Sequence, residues 1–252
     1  NAILVDGGDA TQGKPLATYT KGEAIIEIMN AAGYDVSAVG NHEFDSKIDG
    51  FRTQLIQSNF PYLCANIEKH DSLRIFTYPY KIFEVDGVKI GVLGIVQTGA
   101  NNVPDTHPSN VKGINFPDEI ETISKYSWLR DHCDVEILLT HCGYENDTVF
   151  ARKFPHYDAI IGGHSHTRVG DNQIHNGVLI TQAENKLKCA TLSVFVVENG
   201  KIKCGFNPCI MTTTIFELFN NVKLIGDTIE FTNKKAASPI LLVENISIAS
   251  SN

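Results

Sequence analysis

Short apolar runs that end in polar or glycine-rich clusters recur along the chain. Short β-branched runs closed by glycine are typical of buried strands. Four such runs are followed by a cluster: residues 3–5 before Asp6-Gly7-Gly8-Asp9, residues 36–39 before Gly40-Asn41-His42-Glu43, residues 135–140 before His141-Cys142-Gly143, and residues 157–161 before Gly162-Gly163-His164-Ser165-His166. The pattern therefore predicts four strands with polar side chains just past their carboxyl ends, the edge where open α/β sheets build their sites.

The stretches between these runs carry apolar residues at helical spacing. They predict helices over residues 22–32, 48–58 and 116–132. The dipeptides Asp86-Gly87 and Asn199-Gly200 suit tight turns between short apolar runs, and they predict two hairpins. Strands alternating with helices, interrupted by hairpins, indicate an α/β fold with mixed sheets.

The character of the chain changes from about residue 211. The patterning becomes weaker, and the connector-like stretch 234–239 precedes a last apolar run at residues 240–243. We therefore predict one domain over residues 1–210. The remaining residues, 211–252, form an extension or linker to which the sequence assigns no role.

Composition narrows the class of protein. The chain has 252 residues, of which 42% are apolar and 20% charged, as is usual for a globular protein, and its net charge is −8. A diffuse acidic chain does not suit nucleic acid, which needs clustered Lys and Arg, but metal ions could still bring a phosphorylated substrate to it. No stretch approaches the roughly 18 apolar residues of a membrane span. None of the six cysteines forms a C-x-x-C pair, so we expect no structural zinc knot.

The polar clusters together suggest a metal site. Oxygen and imidazole groups from separate strand ends suit divalent ions, although each residue alone is more often a turn former or a hydrogen-bonded histidine. The set comprises Asp9, Asn41, His42, Asp45, His141, His164 and His166. Two ions about 3.5–4 Å apart need a bridging ligand, and Asp9 is the natural carboxylate for it. His164 and His166, two residues apart, can approach different ions from one loop.

Four motifs resemble those of the calcineurin-like metallophosphoesterases, most closely the catalytic domain of the 5′-nucleotidase and UDP-sugar hydrolase family. They are Gly8-Asp9, Gly40-Asn41-His42-Glu43-Phe44-Asp45, Thr140-His141 and Gly162-Gly163-His164-Ser165-His166-Thr167. The resemblance covers residues 1 to about 207 and implies a four-layer α/β/β/α sandwich. It also implies hydrolysis of phosphate esters, with nucleotides as the first substrate class and nucleotide sugars or cyclic nucleotides close behind. A periplasmic or extracellular location is implied as well.

The resemblance implies a role for each matching residue. Asp9 would bridge two divalent metal ions, which could be Zn, Mn, Mg or Fe. Asn41, His141 and His164 would complete one metal site, and His166 would belong to the other. A hydroxide held by the two ions would then attack phosphorus.

The resemblance also implies a proton-transfer pair. His42 would face the phosphate and stabilise charge or protonate the leaving oxygen, and Asp45 would orient it. A carboxylate holds the tautomer of an imidazole and favours its charged form, which makes this pairing physically sound. We interpret Glu43 as structural.

The sequence departs from the family in two ways. The D-x-H motif that normally supplies two further ligands does not precede Asp9, and the one literal match, Asp105-Thr106-His107, lies in a proline-flanked polar loop that we interpret as a decoy. The missing strand lies upstream of Asn1, or this form lacks it. The family's C-terminal substrate-binding domain is not found either. We therefore expect weak or absent activity for this polypeptide.

Two other hypotheses compete with the phosphoesterase. The chain could be a non-catalytic or weakly active metal-binding domain of the same fold, which counting the bound metals would separate. A nuclease is disfavoured because the chain lacks a basic stripe. The oligomeric state cannot be predicted from the sequence.

Overall fold

The computed structural model describes residues 2–69, 77–99, 101–169 and 173–188, and beyond them 190–193, 195, 197–198, 201–202, 210–213, 222–231 and 237–243. Its α-helices are α1 Pro15–Tyr19, α2 Glu23–Ala32, α3 Lys47–Gln57, α4 Glu119–Lys125 and α5 Tyr144–Lys153. Its strands up to residue 188 are β1 Val5–Asp6, β2 Val36–Ala38, β3 Tyr62–Leu63, β4 Glu68–Lys69, β5 Tyr80–Val85, β6 Val88–Val96, β7 Ile114–Asn115, β8 Val135–His141, β9 Ala159–Ile161, β10 Ile174–His175 and β11 Val178–Thr181. Short 3-10 helices cover His42–Phe44, Pro108–Val111 and Ser127–His132.

Two sheets organise this part of the chain. The first has the order β1-β2-β3 and is parallel, and the second has the order β10-β11-β9-β8-β6-β5. Within the second sheet, β11, β9, β8 and β6 are parallel, whereas β10 and β5 pair antiparallel at its edges. The predicted mixed α/β architecture is therefore confirmed.

Three apolar clusters show how the layers stack. Val36 and Leu63 from the first sheet pack with Val92, Ile137 and Leu139 from the second, so the two sheets face each other. The outer face of the first sheet is covered by α2 and α3, and that of the second by α4 and α5. The order of layers is therefore helix, sheet, sheet, helix, as the resemblance implied.

The two sheets approach most closely at Gly94 in β6. A Cβ atom there would overlap the backbone of Leu63 in β3, so only glycine allows this contact. The amide of Ala65 donates to the carbonyl of Gly94 at 2.8 Å, which joins the segment after β3 to the second sheet. This junction fixes the relative position of the two sheets that supply the site described below.

Several sequence-based predictions of elements can be compared with the structure. The strands, the helices near residues 22–32 and 48–58 and the hairpin around Asp86-Gly87 are confirmed. The predicted helix over residues 116–132 is wrong in its continuity: Asp118 caps α4, which ends before Tyr126, and a separate 3-10 helix follows. The aromatic rings of Tyr126 and Trp128 both pack on Tyr80 at this break.

Further strands follow residue 189: β12 Ala190–Ser193, β13 Val197–Glu198, β14 Lys201–Ile202, β15 Ile210–Thr213, β16 Val222–Phe231 and β17 Ala237–Val243. They pair antiparallel as β12 with β15, β13 with β14, and β16 with β17. The second predicted hairpin corresponds to β13 and β14, and its turn residues 199–200 lie outside the described residues. The predicted domain boundary at residue 210 stays a prediction.

The described residues also bear on the sequence-based expectations for the cysteines and for membrane-spanning segments. Cys64 and Cys142 are free thiols buried in the core, Cys133 is free and half-buried, and the other three cysteines lie outside the described residues. No helix in the described ranges combines the length and apolar character that crossing a bilayer requires.

Glu136 in β8 is a buried acid at the sheet edge opposite the polar clusters. Its side chain is fully buried, and within the described ranges neither of its carboxylate oxygens has a hydrogen-bond partner. The nearest basic atom is Nε2 of His156 at 3.9 Å, because the guanidinium of Arg130 pairs with Asp158 at 2.5 Å instead. Burial raises the pKa of Glu136 from 4.5 to about 7.

This buried acid makes stability depend on pH. Between its unfolded and folded pKa values, the folded state keeps a proton that the unfolded chain releases, so stability falls as pH rises through this window. We expect the Glu136→Gln variant to be more stable than the wild type. This difference in the free energy of unfolding should be about 1–3 kcal/mol larger at pH 8 than at pH 5. Urea unfolding of both proteins at the two pH values measures this. A gain that does not change with pH would contradict it.

Candidate metal centre

The carboxyl ends of four strands place the predicted residues at one edge. Asp9 follows β1, Asn41 follows β2, His141 ends β8, and His164 follows β9. The first two strands belong to the three-stranded sheet and the other two to the six-stranded sheet. The site therefore lies where the same edges of the two facing sheets meet.

Four side chains converge there. One ligand atom from each of Asp9, His141 and His164 lies within 4.8 Å of the others. Oδ2 of Asp9 is 2.9 Å from Nε2 of His141. Oδ1 of Asn41 lies 3.2 Å from Nε2 of His141 and 3.0 Å from Nδ1 of His164. A carboxylate, an amide oxygen and two imidazoles around one point fit a borderline divalent ion.

Three of these four ligands are held on the side that faces away from the site. Nδ1 of His141 donates to the carbonyl of Gly7 at 2.7 Å, which leaves Nε2 directed at the site. Nδ2 of Asn41 donates to the carbonyl of Asp105 at 2.9 Å, which directs its Oδ1 inward. Nε2 of His164 is 3.3 Å from Nε2 of Gln97. Such outer contacts fix the orientation of metal ligands in proteins.

The backbone is adapted to the site. Asp9 and His164 have positive φ values of 64° and 75°, in the left-handed region that non-glycine residues rarely occupy. A Cβ at Gly40 would overlap the carboxylate of Asp9, and one at Gly163 would overlap the carbonyl of Gly7. The glycines of the motifs therefore provide room for the ligands, and two of the ligands, Asp9 and His164, themselves have a strained backbone.

The charges of the site support one another. Burial opposes ionisation of Asp9, but the hydrogen bond and the charge of His141, together with the backbone amide of His42, outweigh burial and lower the pKa of Asp9. Burial likewise disfavours the charged form of His141, yet the hydrogen bond with Asp9 and the charge of Asp9, together with the carbonyl of Gly7 and the charge of Glu43, raise the pKa of His141. Burial and then the charge of His141 lower the pKa of His164, which keeps that imidazole neutral. A neutral imidazole and an ionised carboxylate are the forms that bind metals.

Glu43 braces the two loops of the first sheet from beneath. It is fully buried, and its Oε2 accepts the amides of Asp9 at 2.9 Å and Gly40 at 2.7 Å. Its Oε1 accepts the hydroxyl of Thr11 at 3.1 Å. Burial, and then the charge of Asp9, raise the pKa of Glu43 to about 7. These contacts give Glu43 a structural place, in line with the sequence-based interpretation.

His42 and Asp45 form a pair on the open side of the site. Nδ1 of His42 is 2.8 Å from Oδ2 of Asp45, and the exposed fractions of the two side chains are 39% and 40%. The backbone amide of His42 donates to Oδ1 of Asp9 at 2.8 Å, which ties the pair to the metal ligands. The ring is therefore accessible to a ligand from solvent, while its Nδ1 is held by the carboxylate.

The structure does not bring every predicted residue into the cluster. His166 is exposed, with a φ of 56°, and its ring nitrogens lie outside the group formed by Asp9, His141 and His164. Its role at a second ion stays a prediction. His107 of the D-x-H decoy instead caps the 3-10 helix Pro108–Val111 by accepting the amide of Ser109.

Sequence reasoning missed Gln97 and the carbonyl of Asp105. Gln97 directly follows β6, so it stands at a strand end like the predicted ligands. The rule that found the other residues would therefore have found it. The Asp105 carbonyl has no sequence signal, because any residue can supply a backbone oxygen.

Comparison with known proteins identifies the family. The model of the calcineurin-like phosphoesterase family matches residues 1–168, and the chain belongs to that family. The family is metal-dependent, and the described part of the chain holds a group of residues that could bind an ion. A second family model, the PmbA/TldA metallopeptidase C-terminal domain, matches residues 172–250. This match covers under a third of the chain and does not assign the chain to that family.

The chain is similar to several proteins that are named 5′-nucleotidases. A snake venom 5′-nucleotidase from Gloydius brevicauda is 33% identical over 174 residues, 66% of this chain and 29% of that protein. A 5′-nucleotidase from Vibrio cholerae is 32% identical over 235 residues, 80% of this chain and 42% of that protein. The crystal structure of a 5′-nucleotidase precursor from Thermus thermophilus matches with a TM-score of 0.73 at 22% identity, covering 91% of this chain and 52% of that one. This chain thus spans less than half the length of the two relatives.

The brace formed by Glu43 gives a stability prediction. We expect Glu43→Ala to lower the free energy of unfolding by about 2–4 kcal/mol, because it leaves two buried amides without an acceptor. Glu43→Gln keeps an acceptor oxygen for these amides and should retain most of the stability. Urea unfolding of the three proteins measures the difference. Equal losses in both variants would show that the charge, not the acceptor, matters.

Proposed function

We propose that the protein hydrolyses phosphate esters of small molecules, most directly nucleotides, with the help of divalent metal ions. The observation that carries this is the convergence of Asp9, Asn41, His141 and His164, whose ligand atoms meet at the joint edge of the two sheets. Membership of the calcineurin-like phosphoesterase family supports the reaction class. The relatives named 5′-nucleotidases support the substrate class.

The residues present fit the metal ions that this reaction needs. Asp9, Asn41, His141 and His164 would hold one ion, and Asp9 with His166 would contribute to a second. The ions would supply a water of lowered pKa and positive charge for the phosphoryl oxygens. The chain itself keeps His164 neutral and Asp9 ionised, which makes both ready to bind.

His42 is proposed to transfer the proton. Asp45 accepts a hydrogen bond from Nδ1 of His42. This contact fixes the tautomer of His42 and leaves Nε2 for the substrate. When the ring is protonated, Nε2 can donate to the leaving oxygen of the ester. The backbone contact between His42 and Asp9 keeps this donor beside the metal ligands.

The composition of the chain and the same relatives support a class of substrate and a location for the protein. The net charge of −8 and the absence of a basic run in the sequence support a small phosphorylated substrate rather than a nucleic acid. Because a similar 5′-nucleotidase is a snake venom protein, we propose that this protein also acts outside the cytoplasm.

The role of His42 gives a kinetic prediction. We expect His42→Ala to lower the rate of Mn²⁺-dependent phosphate release from AMP by about 100- to 10,000-fold, because the leaving oxygen loses its proton donor. Mn²⁺ affinity, measured by calorimetry, should stay within about threefold of the wild type, since His42 is not a ligand.

The matched control is His107→Ala, the histidine of the decoy motif, which caps a 3-10 helix. It should leave both rate and affinity unchanged. Phosphate release by the wild type that His42→Ala matches in rate would contradict the proposed function.

A further inference from the structure

Gln182 is a buried glutamine that contacts the loop carrying His164 and His166. It directly follows β11, so it stands at a strand end, as the candidate metal ligands do. β11 runs parallel to β9, and the amide of Gly162 donates to the carbonyl of Thr181 at 2.8 Å, which continues this pairing to the start of the loop. Gln182 is only 2% exposed. A buried polar side chain needs hydrogen-bond partners, and those of Gln182 lie in this loop, residues 162–167.

One oxygen of Gln182 holds the loop at two points. Its Oε1 accepts the hydroxyl of Ser165 at 2.9 Å and the backbone amide of Thr167 at 3.2 Å. Because a backbone amide can only donate, the atom of Gln182 that faces Thr167 is the oxygen. Nε2 of Gln182 has no hydrogen-bond partner among the described residues. The acceptor oxygen is therefore the part of the side chain that holds the loop.

Ser165 extends this contact to the next helix. Its hydroxyl also accepts the amide of Tyr144, the first residue of α5, at 3.1 Å, and lies 2.8 Å from the hydroxyl of Thr167. Since Ser165 donates its one hydroxyl proton to Gln182, the hydroxyl of Thr167 donates to Ser165. Ser165 thus makes every hydrogen bond that a hydroxyl can make, and it joins the loop to the end of β11 and to the start of α5.

The residues on either side of Ser165 are the two histidines, and both have a strained backbone. The φ values of His164 and His166 are 75° and 56°, in the left-handed region. Residues keep such conformations only where the surrounding structure holds them. The contacts of Gln182 act on Ser165, between the two histidines, and on Thr167, directly after them. None of these contacts involves an imidazole ring, so they hold the backbone independently of the protonation of the rings.

We propose that Gln182 is a positioning residue whose side-chain oxygen holds the loop 162–167 in the conformation that presents His164 and His166 to metal ions. Without this oxygen, the amide of Thr167 loses its acceptor and Ser165 is no longer fixed to β11. The two histidines can then relax out of the left-handed region. An ion would have to restore that conformation when it binds, so its affinity falls. This inference rests on the proposed function, because it requires that the loop binds metal.

The test is Mn²⁺ calorimetry together with urea unfolding of the wild type, Gln182→Met and Gln182→Glu. Methionine has a similar length but offers no oxygen, so we expect Gln182→Met to bind Mn²⁺ about 10- to 100-fold more weakly. Gln182→Glu keeps an oxygen for both donors and gives up only the unpartnered nitrogen. Its Mn²⁺ affinity should therefore stay within about threefold of that of the wild type.

The matched control is Gln54→Met. Gln54 in α3 is also 2% exposed, and it donates from Nε2 to the carbonyl of Lys21 at 2.8 Å, while its Oε1 has no partner in the described part of the chain. Both methionine variants remove a buried amide, so both should unfold at lower urea concentration than the wild type. Only Gln182→Met should bind Mn²⁺ more weakly, which separates a role in the metal site from a role in stability alone.

Ser165→Ala tests the same contact at an exposed position if Gln182→Met does not fold. It removes one of the two hydrogen bonds to Gln182 and should weaken Mn²⁺ binding about 3- to 10-fold. Wild-type affinity in folded Gln182→Met or in Ser165→Ala, or equal losses in Gln182→Met and Gln182→Glu, would overturn the inference and leave the proposed function standing. A wild type that binds no Mn²⁺ would overturn the proposed function and the inference together.

Discussion

The site depends on the contacts that the ionised carboxylate of Asp9 makes. One of its oxygens pairs with His141 from the opposite sheet, and the other accepts the backbone amide of His42. Its own amide is held by the buried Glu43. These contacts offset the burial of a negative charge and lock the residue in a left-handed conformation. They also connect the metal ligands of both sheets to the His42–Asp45 pair.

The fold makes this connection possible because parallel strands of the two facing sheets end at the same edge. The loops after β1 and β2 come from one sheet, and those after β8 and β9 from the other. The close contact at Gly94 sets the distance between the sheets. The charge state of each group matches its proposed role. An ionised Asp9 and a neutral His164 can bind metal ions, whereas the exposed His42 can transfer a proton.

Much of this could be predicted from the sequence, because local signals coincide with the tertiary arrangement. Apolar runs closed by glycine marked the strands that carry Asp9, Asn41, His141 and His164 to one edge. The split of the helix after Lys125 was not predictable, since it depends on packing against Tyr80, which is distant in sequence. Gln97 could have been found by its place at a strand end, but its contact with His164 arises only from the tertiary arrangement.

The most direct test is a crystal structure of the protein grown with Mn²⁺, using the anomalous signal of the ion. The account predicts a peak at about 2.0–2.3 Å from ligand atoms of Asp9, Asn41, His141 and His164. Asp9 and His141 would then bind the ion instead of each other. Saturated crystals with no peak at this edge, or with Asp9 and His141 still paired directly, would contradict it.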